Sequence, residues 1–464
     1  MKRTVFSVLS LGCCWMLSPE SLALVGNIAG QGGWAMFLPL AVITLCFMTC
    51  AHLLSNPHLP EHGFPFHTFY KSPFLPPGKE QQNMKAEPGD SLESPVLSCK
   101  RPPHPFGVGQ QNMKEVFSYK RNAASIIGAN GLTLAASLPL MIFSATAILV
   151  TAGYTFNEVF LYWFPNFGFA FLLLFLLTVL QFFPEKVTSD AQTLFIGTAV
   201  VGLLFLSFYG ILSPALSVSA KIVPGPDLPL NSPQLSWHAV ALLPLLYVGT
   251  LFPEKQQKTS AQIFIPVIGF SLFLLWIAAS LNHVSPERLA SSDIPYMTAA
   301  RRIMGEPGRY IMGVIIIAGS CGAVNGFFVL CRRMLAGPAD HKKISISQLL
   351  PLALAICVGG AMAAGLAGED LLEVLVRAAL LLWLTSMIFR CIAALLWLHQ
   401  KKGILSIPAL LSTILLTITL PAILFGDPEK VALTLCVFSA LSAGLLMAAC
   451  RFFINKHSRK EKGA

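Results

Sequence analysis

The chain has 464 residues, of which 55% are hydrophobic and only 12% are charged, and its mean hydropathy is +0.67. These values exclude an ordinary soluble domain and a disordered chain, and they are typical of a membrane protein with many spans. The formal net charge of +10 would suit nucleic-acid binding, but most Lys and Arg residues lie in alternate loops between apolar segments, as membrane topology requires.

About twelve apolar segments are long enough to cross roughly 30 Å of hydrocarbon at about 20 residues each. They lie near residues 4–29, 33–54, 123–152, 166–183, 191–214, 236–252, 261–281, 308–331, 347–366, 371–398, 404–425 and 430–454. The sequence therefore predicts an all-α polytopic membrane protein. The positive loops also predict that both termini are cytoplasmic and that the protein resides in the plasma (cytoplasmic) membrane.

The first apolar segment is interrupted by the residues Met16, Leu17, Ser18, Pro19 and Glu20. Ser18 suits an N-cap, Pro19 the first helical position and Glu20 the first turn, so a second half-helix is expected to begin inside the membrane. Its unpaired amides would attract a negative group such as a substrate carboxylate. A carboxylate at Glu20 must be protonatable, bind a cation or reach solvent. Proton or amine binding, helix capping and a solvent-facing position all remain open for Glu20.

The same segment has a second interpretation. Met1-Lys2-Arg3, the apolar stretch after it and Ser21-Leu22-Ala23 together resemble a cleavable signal peptide. A mature chain that began near Leu24 would lack the first break.

Residues 55–122 separate the second and third segments and are rich in Pro, Gly and Gln. This composition predicts a flexible cytoplasmic insert. The insert contains a short duplication, because Gln81-Gln82-Asn83-Met84-Lys85 recurs as Gln110-Gln111-Asn112-Met113-Lys114. A duplicated linker and a regulatory or partner-binding segment are the two interpretations.

The sixth segment is interrupted in the same way, between Tyr247 and Glu254. Gly249 permits backbone conformations that other residues resist, and the aromatic rings of Tyr247 and Phe252 lie on either side of it. The rings could close over a substrate or pack against lipid and neighbouring helices. We predict that a substrate would contact Tyr247, Val248, Gly249, Thr250 and Phe252, together with Met16, Leu17, Ser18 and Glu20 of the first break.

These two breaks lie five segments apart. In a bilayer, the backbone leaves a helix only where it lines a cavity enclosed by protein, and paired broken helices are typical of transporter sites.

Polar and charged residues occur in two later segments. Residues 318–326 of the eighth segment are small or polar, which favours close helix packing. The alternative is that Ser320 completes a cation site with carbonyls of the first break. In the tenth segment, Glu373 and Arg377 are spaced to pair on one helix face, and Arg390 is a candidate gate or counter-ion, or reaches towards the cytoplasm.

Several stretches resemble the amino acid, polyamine and organocation (APC) transporter superfamily. They are residues 12–33, residues 59–66, Tyr247-Val248-Gly249, and the pattern running from Ile294-Pro295 through residues 322–336. The resemblance implies a LeuT-like fold with two inverted five-helix repeats, the second over residues 236–398, followed by two further helices in 399–454 and a basic tail in 455–464. It also implies alternating access around a central site.

We therefore expect a secondary active transporter for an amino acid or related amine, driven by protons or by exchange, with sodium coupling left open. Glu20 is the first candidate for coupling. An organic cation or polyamine carrier and a transporter-like sensor are the alternatives. No signature of an enzyme, a resident cofactor, a metal site or a disulfide framework stands out among the eleven Cys and ten His residues. The expected partners are a small-molecule substrate and the lipid bilayer, with no nucleic acid.

Overall fold

The computed structural model describes residues 2–55, 109–213, 237–248, 250, 259–335, 344–366, 370–400 and 407–442. Across these ranges the secondary structure is helical and contains no strand.

Fifteen helices are numbered here in chain order. They are α1 (Lys2–Cys13), α2 (Pro19–Gly32), α3 (Phe37–Leu54), α4 (Gly109–Val159), α5 (Asn166–Leu180), α6 (Glu185–Leu212), α7 (Trp237–Leu242), α8 (Thr259–His283), α9 (Pro286–Ala290), α10 (Pro295–Met304), α11 (Glu306–Leu335), α12 (Ile344–Ala363), α13 (Asp370–Gln400), α14 (Ile407–Gly426) and α15 (Lys430–Ser442). Short 3-10 helices at Gly33–Met36 and Leu243–Tyr247 follow α2 and α7.

The described residues include seven stretches that are long and apolar enough to span a membrane, and four shorter apolar helices. A helix lies in each of the twelve apolar segments predicted from the sequence. The protein is therefore an all-α, multi-pass membrane protein.

The most buried spans are those of α11 and α13. Both pack extensively against α4, and α11 also packs against α6. Helices α6 and α14 lie further out, and large apolar side chains such as Leu194, Val201 and Ile418 are exposed on them. Helices α4, α11 and α13 therefore form a buried core beside the two broken segments.

Glycines bring the short helices α9 and α10 against α2. A Cβ built on Gly26 would lie 2.6 Å from Cβ of Pro295, and one built on Gly30 would lie 2.3 Å from the backbone nitrogen of Ala290. Only residues without a side chain allow this approach, so the α9–α10 pair lies directly against the second half of the first segment.

Helix α4 begins at Gly109, whereas the sequence predicted a flexible insert as far as residue 122. Residues 109–122 continue the third membrane helix instead, because Gln, Met, Lys and Glu in this stretch all favour a helix. The rest of the predicted insert, residues 56–108, lies outside the described residues.

Candidate functional site

The first break is a short non-helical turn between α1 and α2. Helix α1 ends at Cys13 and α2 begins at Pro19, with Ser18 as its N-cap in an extended conformation. The Ser18 Oγ accepts a hydrogen bond from the backbone N–H of Ser21 at 3.3 Å. This is the capping geometry that the sequence predicts.

Two amides in the first turn of α2 have partners within the chain. Pro19 has no N–H, the N–H of Ser21 donates to the side chain of Ser18, and the N–H of Leu22 donates to the Ser18 carbonyl at 3.1 Å. Ser18 therefore already occupies part of this end of the helix, and binding of a substrate carboxylate by the α2 amides stays a prediction.

Glu20 lies in a cluster of hydroxyl groups. The hydroxyl-bearing residues Ser18 and Thr151 lie near its carboxylate, and Tyr296 of α10 lies in the same neighbourhood. The carboxylate oxygen Oε2 is inaccessible to solvent and has no hydrogen-bond partner. An unpaired, buried carboxylate oxygen is costly unless a proton or a cation reaches it, so this atom is the strongest candidate for a binding group at the first break.

The second break follows the 3-10 helix that ends at Tyr247. The backbone N–H and the hydroxyl of Thr250 both donate to the Tyr247 carbonyl, at 3.2 and 2.7 Å. Val248 and Thr250 are buried. The predicted contact residues Gly249 and Phe252 lie outside the described residues.

The ring of Tyr247 is held by three neighbours. Its hydroxyl is 2.6 Å from Oγ1 of Thr44, its face stacks on Phe47 with centroids 5.1 Å apart, and Phe273 packs against it edge-on. Tyr247 is fully buried. In this structure its ring lies within the packing between α3 and α8.

The two breaks are joined directly. The indole N–H of Trp15 donates to the carbonyl of Leu245 at 2.8 Å, across 230 positions of sequence. Next to it, Met16 packs so closely on α8 that a Cβ on Gly269 would lie 2.4 Å from the Met16 sulfur. Met16 and Leu17 are fully buried, so the structure brings the first break into contact with the second.

Helix α11 lies against the first break through its small residues. A Cβ on Gly319 would lie 2.1 Å from the Leu17 carbonyl oxygen, and one on Gly326 would lie 2.9 Å from Sγ of Cys14. The hydroxyl of Ser320 is buried and has no hydrogen-bond partner. The close packing predicted for this segment is present, and a cation site at Ser320 stays a prediction.

The predicted pair in α13 is confirmed, with Glu373 Oε1 at 3.5 Å from Arg377. Arg377 makes a shorter bond, 2.7 Å, to the buried carboxylate of Asp427 just after α14. Sequence spacing could not reveal this partner, which is 50 residues away. Arg390 lies deeper in α13 and is buried.

A chain of buried amides lies where α5, α6 and α11 meet. The Gln181 side chain donates to Oδ1 of Asn325 at 2.7 Å, and Nδ2 of Asn325 donates to Oε1 of Gln192 at 2.7 Å. Gln192 in turn donates to the Gly322 carbonyl at 3.0 Å. This network was not predicted, because three amides far apart in sequence give no local signal.

A metal centre finds no support within the described ranges, since no three His, Cys, Asp or Glu side chains come together there.

No family model matches the sequence, and no curated protein matches it. Solved structures with a similar fold include the Eremococcus coleocola manganese transporter in complex with an aromatic bis-isothiourea substituted compound, at 12% identity and a TM-score of 0.48, with 98% of this chain and 94% of that chain covered. Two single-substitution variants of the same transporter match at 13% identity and a TM-score of 0.49 with the same coverage.

Proposed function

We propose that the protein is a secondary active transporter for a small molecule that carries an ammonium group, an amino acid or a related amine, and that it works by alternating access. The observation that supports this most strongly is the unpaired Oε2 of Glu20 at the start of a half-helix inside the membrane. An intramembrane carboxylate is costly and is normally retained for function. A protonated or cation-bound Glu20 removes that cost.

Two interrupted membrane helices that touch each other support the transport class. Trp15 of the first break bonds to Leu245 at the second, and unwound backbone at membrane depth is typical of transporter sites. The resemblance to the APC superfamily, with its LeuT-like inverted repeats, is consistent with this class.

The hydrogen bonds of the α2 amides favour binding of the substrate's ammonium group, rather than its carboxylate, at the first break. The amides of Ser21 and Leu22 have partners within the chain, so a substrate carboxylate would have to compete with Ser18 for them. An ammonium group needs only the free oxygen of Glu20. This favours the organic cation or polyamine alternative over recognition of an α-carboxylate at this break.

Coupling is proposed to use the same carboxylate. If Glu20 binds either a proton or the ammonium group of the substrate, the two compete for the same carboxylate. Movement of protons in one direction would then be linked to movement of the substrate in the other, as proton-coupled transport, or one substrate molecule would be exchanged for another. Sodium coupling is the second candidate, supported by the unpaired hydroxyl of Ser320 beside the first break.

The test is uptake into proteoliposomes of matched pairs, each an amino acid and the amine that its decarboxylation yields, with and without an imposed pH gradient. We expect the amine of a pair to be taken up at least as well as the amino acid, and Glu20→Gln to abolish dependence on the gradient. Glu20→Asp keeps the charge, and Asp190→Asn removes an exposed carboxylate elsewhere; both are expected to retain coupling. Full gradient-dependent uptake by Glu20→Gln would refute the role of this residue.

Absence of uptake and exchange for every compound would refute transport. Stabilisation by an amine without uptake would instead favour the sensor alternative.

A further inference from the structure

The loop between α4 and α5 is held in one conformation, with two aromatic side chains projecting from it. The side-chain amide of Asn157, in the last turn of α4, donates to the carbonyls of Tyr162 and Phe164, at 2.7 Å each. The ring of Phe164 packs edge-on against Phe156, with centroids 5.8 Å apart. Tyr162 and Trp163 are instead 86% and 76% exposed. Because the loop is already fixed, these two rings can bind a partner without a large loss of conformational freedom.

The exposed aromatic surface continues from this loop onto α11. The rings of Phe160 and Tyr310 lie 6.0 Å apart, centroid to centroid, and a Cβ on Gly313 would lie only 3.0 Å from Cε2 of Phe160. Tyr310 and Val314 are both exposed and share a face of α11. Tyr and Trp side chains are favoured where a membrane meets water, since each has an apolar ring and a polar group.

Three arginines lie beside Tyr310, at the turn between α10 and α11. The guanidinium of Arg309 lies over the Tyr310 ring, 5.4 Å from its centroid. Arg309 and Arg301 share the carboxylate of Glu306, with nitrogen–oxygen distances of 3.0 and 3.3 Å. Arg302 is exposed and forms no ion pair with any other described residue. One carboxylate against three guanidinium groups leaves a local excess of positive charge.

The length of α11 places this turn among the lipid headgroups. Its membrane-spanning stretch, Glu306–Arg332, has 27 residues and is therefore about 40 Å long. The hydrocarbon core of a bilayer is about 30 Å thick, and about 40–45 Å with the headgroups. The first turn of α11 is thus expected at the level of the lipid phosphates, with Val314 further down towards the acyl chains.

The charge at this turn is an exception to the topology of the chain. The positive loops predict that this end of the bundle faces outwards, where only six Lys and Arg residues of the sequence fall. Three of the six are Arg301, Arg302 and Arg309. Outer loops are usually poor in Lys and Arg, so topology does not account for this cluster.

We propose that residues 160–163, Tyr310 and these three arginines form a binding surface for an anionic phospholipid of the outer leaflet. We call it the aromatic–arginine patch. Guanidinium groups pair well with phosphate because both are planar or multidentate and carry opposite charge. The exposed carboxylate of Glu158 lies near Tyr296, at the other end of α10, so it lowers the excess of positive charge without cancelling it. The proposal does not depend on what the protein transports.

The test is native mass spectrometry of the full-length protein in detergent, titrated with phosphatidylglycerol and with phosphatidylcholine of the same acyl chains. We expect the unmodified protein to prefer phosphatidylglycerol. Arg302→Gln should weaken binding of phosphatidylglycerol about fivefold, the effect of one basic residue near an anionic surface, and leave phosphatidylcholine unchanged. Arg288→Gln is the matched control, because Arg288 is exposed in α9, which packs beside α2, and it should change neither affinity by more than about twofold.

Two further variants separate charge from aromatic contact. Glu306→Gln removes the carboxylate of the patch, so it should strengthen binding of phosphatidylglycerol, whereas a purely structural role of Glu306 predicts no such gain. Trp163→Ala should weaken binding of both lipids by a similar factor, since the ring does not read the headgroup charge. The four replaced side chains are exposed, and thermal unfolding checks that each variant is folded.

Three outcomes would overturn the proposal. Equal affinity of the unmodified protein for the two lipids would show that the patch does not select an anionic headgroup. Equal losses in Arg288→Gln and Arg302→Gln would show that the overall charge of this side acts, rather than the patch. Competition by soluble glycerophosphoglycerol at the same concentration would show that the patch binds free phosphate esters rather than a lipid.

Discussion

Replacement of Gly319 by Ala tests the contact on which the geometry of the first break depends. The new Cβ would lie 2.1 Å from the Leu17 carbonyl oxygen, whereas an ordinary contact needs about 3.4 Å. Helix α11 or the break must therefore move by more than 1 Å. Overpacking of this kind costs about 1–3 kcal/mol.

Ala also has a higher helix propensity than Gly, by up to about 1 kcal/mol. This gain offsets part of the overpacking cost, so the two effects must be separated. Gly197→Ala in α6 isolates this gain, because nothing lies within 4 Å of its Cβ position. We expect Gly319→Ala to be less stable than Gly197→Ala by about 1–3 kcal/mol and to lose most of its uptake. The measurements are thermal unfolding in detergent and uptake in proteoliposomes. Equal stability and full uptake in both variants would refute the close approach of α11 to Leu17.

Two further predictions concern buried polar groups. Asp427→Asn removes the charged partner that lies 2.7 Å from Arg377 but keeps the oxygen that accepts from the N–H of Glu429. It should lower the free energy of unfolding by about 3 kcal/mol, as the loss of a buried ion-pair partner does. Glu373→Gln removes an exposed partner of Arg377 and should cost under about 1 kcal/mol, so unfolding midpoints that fall equally in the two variants would contradict this ranking. Asn325→Leu takes one hydrogen-bond partner from each of the flanking glutamines, Gln181 and Gln192. It should therefore be less stable than the variant in which all three residues become Leu. The reverse order in thermal unfolding would show that the amides act independently.

Local features of this protein were predictable from its sequence. The hydropathy of twelve segments located the membrane helices, since span length is set by bilayer thickness. The order Ser18, Pro19, Glu20 gave the start of α2, because capping chemistry depends only on neighbouring residues. The i, i+4 pairing of Glu373 with Arg377 followed from helix geometry alone.

Contacts between distant segments were not predictable. The Trp15 bond to Leu245 and the Gln181 bond to Asn325 join residues more than 140 positions apart, and their partners are fixed by the way the helices pack. The partners of the α2 amides were not predictable for a different reason. Residue types identified Ser18 as a capping residue, but only the three-dimensional arrangement revealed that the amides of Ser21 and Leu22 both bond to Ser18.

The bond between Trp15 and Leu245 has a mechanical consequence. It is a buried hydrogen bond between the turn that follows α1 and the 3-10 helix that precedes the second break, so the two segments cannot move far apart without breaking it. The two segments are therefore expected to move together rather than independently. In the proposed alternating-access cycle, the release of this bond should accompany the passage from one open side to the other.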